Sequence, residues 1–434
     1  ENLFTTDIQR AFLFTGDLIY KTNTRNFAWK LDEYLRSLPL LKRDQVWSIY
    51  LAERVEYSGN PYHQLMKWCI ISKQQQISNI EIETIRSIAN TLAWCLSTPN
   101  RMVRDLATKA LVNILQNNIS VLTDILNRFT EIDDPYIRER IYAVTMGCAY
   151  RTNAKEKLKE LSLIVYNNIF NKEIVLPDIL LRDYARNTIE NTLKLGYDLG
   201  IQVDRIRPPY KSYKWSIKDC PSNEYVLENY KLDYQKVDRE LAYAQNSIID
   251  SLTVEHSNRG MYGDFGRYVF QAELSNWDID FEALSNYALK LIFEKYDYRS
   301  DLFFYYEKDT ASRDRQVHKG KERIGKKYQW IAKSEILALV ADNYPEMSSD
   351  LAWRSGTYKG TWNPMCRDID PTVTTANVFY SENNKINKPK MSWKQFPKYK
   401  FRNIELKKWQ STVRDFRNDM MNNIIRQKDD KGNT

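Results

Sequence analysis

The chain has 434 residues, enough for two or three domains that each bury a core. Its 43% hydrophobic and 28% charged residues are ordinary values for a globular protein, and a net charge of +8 permits an acidic partner without requiring one. Three histidines exclude a histidine-rich metal site, and no apolar run approaches the roughly 20 residues that cross a bilayer, so no membrane partner is expected. Aromatic residues reach 13%, carried by 29 Tyr and 11 Trp, against 13 Gly and 13 Pro. Few breakers and many large side chains favour long helices with aromatic packing between them. Cys69, Cys95, Cys148, Cys220 and Cys366 lie far apart with no C-x-x-C pair, which suits small buried hydrophobes in a reducing cytoplasm. The chain opens on Glu1 rather than Met, so we expect a piece of a longer protein.

In chain order, Val46, Trp47, Tyr50 and Leu51 fall on one helical face. Residues 80–96 predict a helix burying Ile85, Ile88, Ala89, Leu92 and Ala93. Ser97-Thr98-Pro99-Asn100 ends it, and a second helix occupies 101–116. Leu122, Ile125, Leu126 and Phe129 open the next pair, which Asp133-Asp134-Pro135 turns into a helix over 136–149. Leu158, Leu161, Val165 and Ile169 open a third, closed by 178–195.

Each closing helix carries the same short pattern, Arg104-Asp105, Arg138-Glu139 and Arg182-Asp183, within an otherwise apolar face. The arginines lie 34 residues apart (104 to 138) and then 44 (138 to 182), around the period of two-helix HEAT-type repeats. We expect the pairs to form a partly exposed ladder between neighbouring helices, each worth on the order of 0–1 kcal/mol. The fold class that follows is mostly α: a HEAT-like α-solenoid over 1–205, then a mixed, mainly helical C-terminal domain. Pro208-Pro209 breaks the periodicity, making 206–223 a linker and 224–400 the second domain. Helices are expected over 281–296 and 328–344, and loops with short strands over 345–400. Leu406, Trp409, Val413, Phe416 and Met420 predict an amphipathic helix over 401–426, and 427–434 reads as a disordered tail.

Several short motifs invite chemistry. Gly320 to Lys327 meets the spacing G-x-x-x-x-G-K, but Lys327 stands where a hydroxyl must reach magnesium, so a basic loop before the 328–344 helix is expected. Asp264-Phe265-Gly266 matches a kinase tripeptide without the catalytic loop or glycine-rich strand, and reads as a turn before a buried Tyr268-Val269-Phe270. With no cofactor motif complete, no cofactor and no catalytic or metal residue is expected. Between Lys385 and Lys408 cations alternate with rings, so Trp393, Lys394, Lys398 and Lys400 are candidate contacts to single-stranded nucleic acid. A solvated basic face over rings that pack inward is the preferred reading of the same residues. Trp353, Trp362 and Arg367 are candidate protein-binding anchors, since Trp and Arg dominate interface hot spots. The same tryptophans also suit the C-terminal core.

Three phrases, Tyr262-Gly263-Asp264-Phe265-Gly266-Arg267-Tyr268, Glu322-Arg323-Ile324-Gly325-Lys326-Lys327-Tyr328-Gln329-Trp330-Ile331-Ala332 and Cys366-Arg367-Asp368-Ile369-Asp370-Pro371-Thr372, stand beside Arg182-Asp183-Tyr184-Ala185-Arg186 and Ile206-Arg207-Pro208-Pro209-Tyr210. Together, over about residues 40–372, they resemble the C-terminal part of bacterial antiphage STAND-type (NACHT-like) ATPases of the AVAST kind. The resemblance implies a sensor arm whose helical repeats bind an invader protein, with the ATPase module upstream and oligomerisation in the parent assembly. The expected function is therefore non-enzymatic recognition of a protein ligand. Nucleic-acid binding through 385–408 is the alternative, and a HEAT-fold DNA glycosylase a third reading.

Overall fold

Within the described residues the apolar periodicities become helices where the sequence places them, and the chain is mostly helical. The computed structural model describes residues 7–22, 25–55, 59–260, 263–312, 320–347, 355–356 and 369–374. The chain divides into two compact units, Glu1–Val378 and Phe379–Thr434, and every described residue belongs to the first. The 401–426 helix, the 427–434 tail and most of 345–400 lie outside the described residues. In that last stretch two short strands, β1 (Glu346–Met347) and β2 (Ser355–Gly356), pair antiparallel. Among the described residues, no helix is long and apolar enough to cross a membrane.

The principal helices up to residue 194 are α1 (Ile8–Thr22), α2 (Arg25–Ser37), α3 (Pro61–Ile71), α4 (Ile82–Trp94), α5 (Arg101–Leu115), α6 (Ile119–Phe129), α7 (Pro135–Arg151), α8 (Leu158–Val165) and α9 (Ile179–Lys194). They pack in two rows. In one, α2, α4, α6 and α8 each touch the next; in the other, α3, α5, α7 and α9 do the same. Across the rows α4 pairs with α5, α6 with α7 and α8 with α9, the neighbour order a helical-repeat stack requires. Short capped connections produce it. Asn100 accepts from the Met102 and Val103 amides, Asp134 from Tyr136 and Asp178 from Leu181, so each helix of the second row starts on a side-chain cap. Leu122, Ile125, Leu126 and Phe129 of α6 are all buried between the rows, each contributing roughly 1.5–3 kcal/mol.

The arginines of the recurring motif sit deeper than the expected surface ladder. Arg104 and Arg182 are buried, and only Arg138 is half-buried. Arg140 of α7 forms a ladder rung to Asp105 of α5 at 2.8 Å. Arg104 instead donates to the Thr98 carbonyl at 2.7 Å and lies 4.4 Å from the centre of the Tyr136 ring. Arg182 donates to the Leu176 and Val175 carbonyls just before its own helix and pairs outside the stack with Asp342 at 2.8 Å. The reason is geometric. A long side chain in the first turn of a buried helix finds unsatisfied carbonyls and distant acids closer than the next repeat's carboxylate.

The rest of the first unit is organised by α10 (Arg239–Ser251), α11 (Phe281–Lys290), α12 (Phe304–Ser312) and α13 (Ile324–Asn343). The last packs against α9, α10, α11 and α12. It is buried on nearly all sides yet carries charges, so each must find a partner inside the protein. Lys327 donates to Asp44 Oδ1 at 2.7 Å, to Asp134 Oδ2 at 2.9 Å and to the Ser97 carbonyl at 2.9 Å. Lys333 meets Glu273 at 2.7 Å, and the Ser334 hydroxyl donates to Asp178 at 2.9 Å. The basic loop expected before the 328–344 helix is corrected here: the helix already starts at Ile324, and Lys327 within it is fully buried.

The segment 206–223, read from sequence as a linker, runs along α13. The Tyr210 amide donates to Asp342, the Tyr213 phenol to Glu335 and the Ile217 amide to the Tyr344 hydroxyl. Trp215 is buried with its ring near those of Tyr287 and Tyr344.

The contacts that α13 and the residues just before it make with the stack are regularly placed. Gly320 accepts from the Arg101 amide at the start of α5, Lys327 reaches the cap of α7 and Ser334 the cap of α9. From Lys327 to Ser334 is two helical turns, about 10.5 Å of rise. That nearly matches the roughly 8–10 Å between packed helices. One edge of the second row is thus sealed by a helix whose polar residues recur at the stacking interval.

Candidate partner-binding surface

The residues singled out from sequence as partner contacts, Trp353, Trp362 and Arg367, lie outside the described residues, as do Trp393, Lys394, Lys398 and Lys400. The two nucleotide-like motifs are placed. Gly320 to Lys327 forms no phosphate cradle, because Lys327 points into the Asp44–Asp134 cluster and Lys326 pairs with Glu322. Asp264 is exposed at the start of a helical turn, and Phe265 packs edge-on to Trp330 at 5.0 Å. Gly266 lies against the carbonyls of Leu252 and Thr253, where any Cβ would collide. Tyr268, expected buried, is 63% exposed, while Phe270 takes the inward position. Among the described residues no group of three or more His, Cys, Asp or Glu could hold a metal ion.

What the structure assembles instead is a groove of ≈ 720 Å³ lined by Tyr234, Arg239, Glu240, Tyr243 and Lys308. Its walls follow from local chemistry. Asp238 caps α10 by accepting from the amides of Glu240 and Leu241. Ala242, Ala244, Ile248 and Ile249 turn inward from that helix, which leaves Tyr243 on its outer side. The buried Asn246 side chain accepts from the Leu232 amide at 2.9 Å and donates to the Leu232 carbonyl at 2.8 Å. That two-point clamp, with the turn closed by Asp233, sets Tyr234 beside α10. On α12, Tyr306 is buried and Tyr305 is 74% exposed, one turn before Lys308. Lys308 pairs with Glu240, joining α12 to α10, whereas no described residue pairs with Arg239.

Tyr225, Tyr234, Tyr243, Tyr268 and Tyr305 all expose a large part of their rings. Tyrosine offers a broad amphipathic contact at low entropic cost, and Tyr and Arg are enriched among interface hot spots. Sequence reasoning missed this groove. The tyrosine richness of 225–244 was visible, but its residues follow neither a helical nor a strand period, so nothing in the spacing marks Tyr234 and Tyr243 as neighbours.

A helical scaffold that carries an aromatic-lined, charge-bearing groove is the class of molecule that emerges. No protein-family model, no curated protein and no solved structure matches the chain.

Proposed function

We propose that this chain is a non-catalytic protein-recognition module in which the two helix rows are the scaffold and the tyrosine groove contacts the partner. The observation that supports it is the gathering of Tyr234, Tyr243 and a guanidinium without a described partner, Arg239, in one open groove. The resemblance to sensor arms of antiphage STAND-type ATPases extends the reading: the partner is an invader protein, and the parent assembly oligomerises when it binds.

The test is a binding screen of the purified chain against the proteins of a phage panel, followed by size exclusion with each hit. One phage protein should co-elute. The double variant Tyr234→Ala, Tyr243→Ala should weaken that complex at least about tenfold, roughly 1.4 kcal/mol, since hot-spot truncations commonly cost more than 1 kcal/mol each. Its thermal midpoint should stay close to that of the wild type, because both rings are half in solvent. Unchanged affinity in the double variant would remove the groove from the proposal, and a panel without any binder would remove the sensor role.

A further inference from the structure

Glu335, in the middle of α13, exposes 3% of its side chain. It accepts from Lys295 Nζ at 2.6 Å, from the Tyr296 hydroxyl at 2.7 Å and from the Tyr213 hydroxyl. The Lys295 ammonium also lies 5.8 Å from the centre of the Tyr213 ring and 5.5 Å from that of Tyr296, inside the roughly 6 Å reach of a cation–π contact. Burial, reinforced by the Glu335 charge, holds both phenols protonated. They therefore serve as hydrogen-bond donors to the carboxylate, beside the single ammonium.

Lys295 differs from the other ammonium groups that meet α13. Lys327 and Lys333 are buried, whereas Lys295 is 45% exposed. It ends a π-helical turn, Leu291–Lys295, a wide-turn geometry that recurs at functional sites. With Tyr296 it lines an open groove of ≈ 680 Å³ walled on the other side by Leu40 and Leu41. Of the groove's other charges, Arg299 is held by Asp301, Asp133 by Arg43, and Lys42 by the Gln45 amide. Asp297 is exposed there with no described partner and sits in the left-handed region at φ 50°. The lysine thus enters from the solvent side and has room to leave by the same route.

We propose that Glu335, Tyr213 and Tyr296 form a recognition site for a primary alkylammonium group, entered from this groove and filled here by Lys295 as an internal substitute. A primary amine fits because the 2.6 Å contact needs an N–H donor, which a quaternary ammonium lacks. This site shares no residue with the tyrosine groove and does not depend on it.

The experiment empties the cage with Lys295→Ala and follows thermal unfolding in n-butylammonium chloride against equal sodium chloride. The variant should melt below the wild type, and butylammonium should raise its midpoint saturably while sodium chloride does not. The wild type should respond only at much higher concentration, because its tethered lysine competes at an effective concentration on the order of mM. The double variant Lys295→Ala, Glu335→Gln should lose the response. If Lys295→Ala does not fold alone, refolding in butylammonium but not in sodium chloride supports the site, and failure in both overturns it. A folded Lys295→Ala whose midpoint ignores butylammonium overturns it as well. A short lysine-containing peptide, run beside butylammonium, separates the sources. Rescue at lower concentration by the peptide assigns the site to a partner's lysine, and by the free amine to a small-molecule ligand.

Discussion

Replacing Lys327 by Met is expected to cost about 3–5 kcal/mol, the range for removing one member of a buried ion cluster. Globular domains hold only roughly 5–15 kcal/mol in total, so the urea midpoint should fall far enough to leave the variant barely folded. The size of the effect comes from what remains. Lys327, Asp44 and Asp134 have no solvent-exposed side-chain surface, and without the ammonium two carboxylates face each other in the interior. Ser48 and Tyr328 still donate to Asp44, but neutral hydroxyls do not balance its charge.

The loss should depend on pH. Burial is the main influence on Asp44 and lifts its carboxyl above the usual range; Lys327 opposes that and Asp134 adds to it. A carboxyl raised on folding contributes stability that is full below its unfolded value, near 4. That contribution is lost as pH rises through the folded value. Without Lys327 the folded value rises further. The gap between wild type and Lys327→Met should therefore be small at about pH 4 and widen toward about pH 7. A gap that stays constant over that span would show that the cluster is not ionised as the geometry implies. Adding Asp44→Asn to Lys327→Met should recover part of the loss at neutral pH.

Arg182→Met is the second large effect, again about 3–5 kcal/mol. Here the guanidinium makes three separate bonds: to the Leu176 carbonyl at 2.6 Å, the Val175 carbonyl at 2.7 Å and Asp342 at 2.8 Å. Its plane also lies 4.9 Å from the centre of the Tyr210 ring. Arg182→Lys should recover only part, because the three bonds start from three separate nitrogens of one planar fork, and a single ammonium cannot occupy all three places. Arg182→Met with Asp342→Leu should recover the share due to the stranded carboxylate and leave the two carbonyls and the Tyr210 amide unmet. Hydrogen exchange should quicken in peptides covering 171–182 and 206–213 while those in α4 to α6 stay protected. Uniform loss of protection would contradict a local fastening role.

The helices were legible because their apolar residues repeat at helical spacing. Leu122, Ile125, Leu126 and Phe129 predict α6 with no knowledge of its neighbours. The recurring arginines were equally visible, yet their partners were not. Arg182 binds an acid 160 residues away and Lys327 binds acids 283 and 193 residues away, separations that carry no periodic signal. Lys327 was misread because Gly320 to Lys327 looks like a basic loop when charge is counted alone. Burial of a charge depends on which distant carboxylates the fold delivers, and local composition is silent on that. The tyrosine groove escaped for a related reason: Tyr234 and Tyr243 are brought side by side by the buried Asn246 clamp rather than by any repeat.

Helical arrays commonly lengthen or shorten by whole units, since each unit meets only its neighbours. The polar steps along α13 remove that freedom. Gly320, Lys327 and Ser334 tally the layers beneath them, and an additional layer between α7 and α9 would leave Ser334 facing the wrong cap unless seven residues were added to α13 as well. Growth between α5 and α9 would need two matched insertions, far apart in the sequence, so the number of layers in that span is pinned by the helix that crosses it.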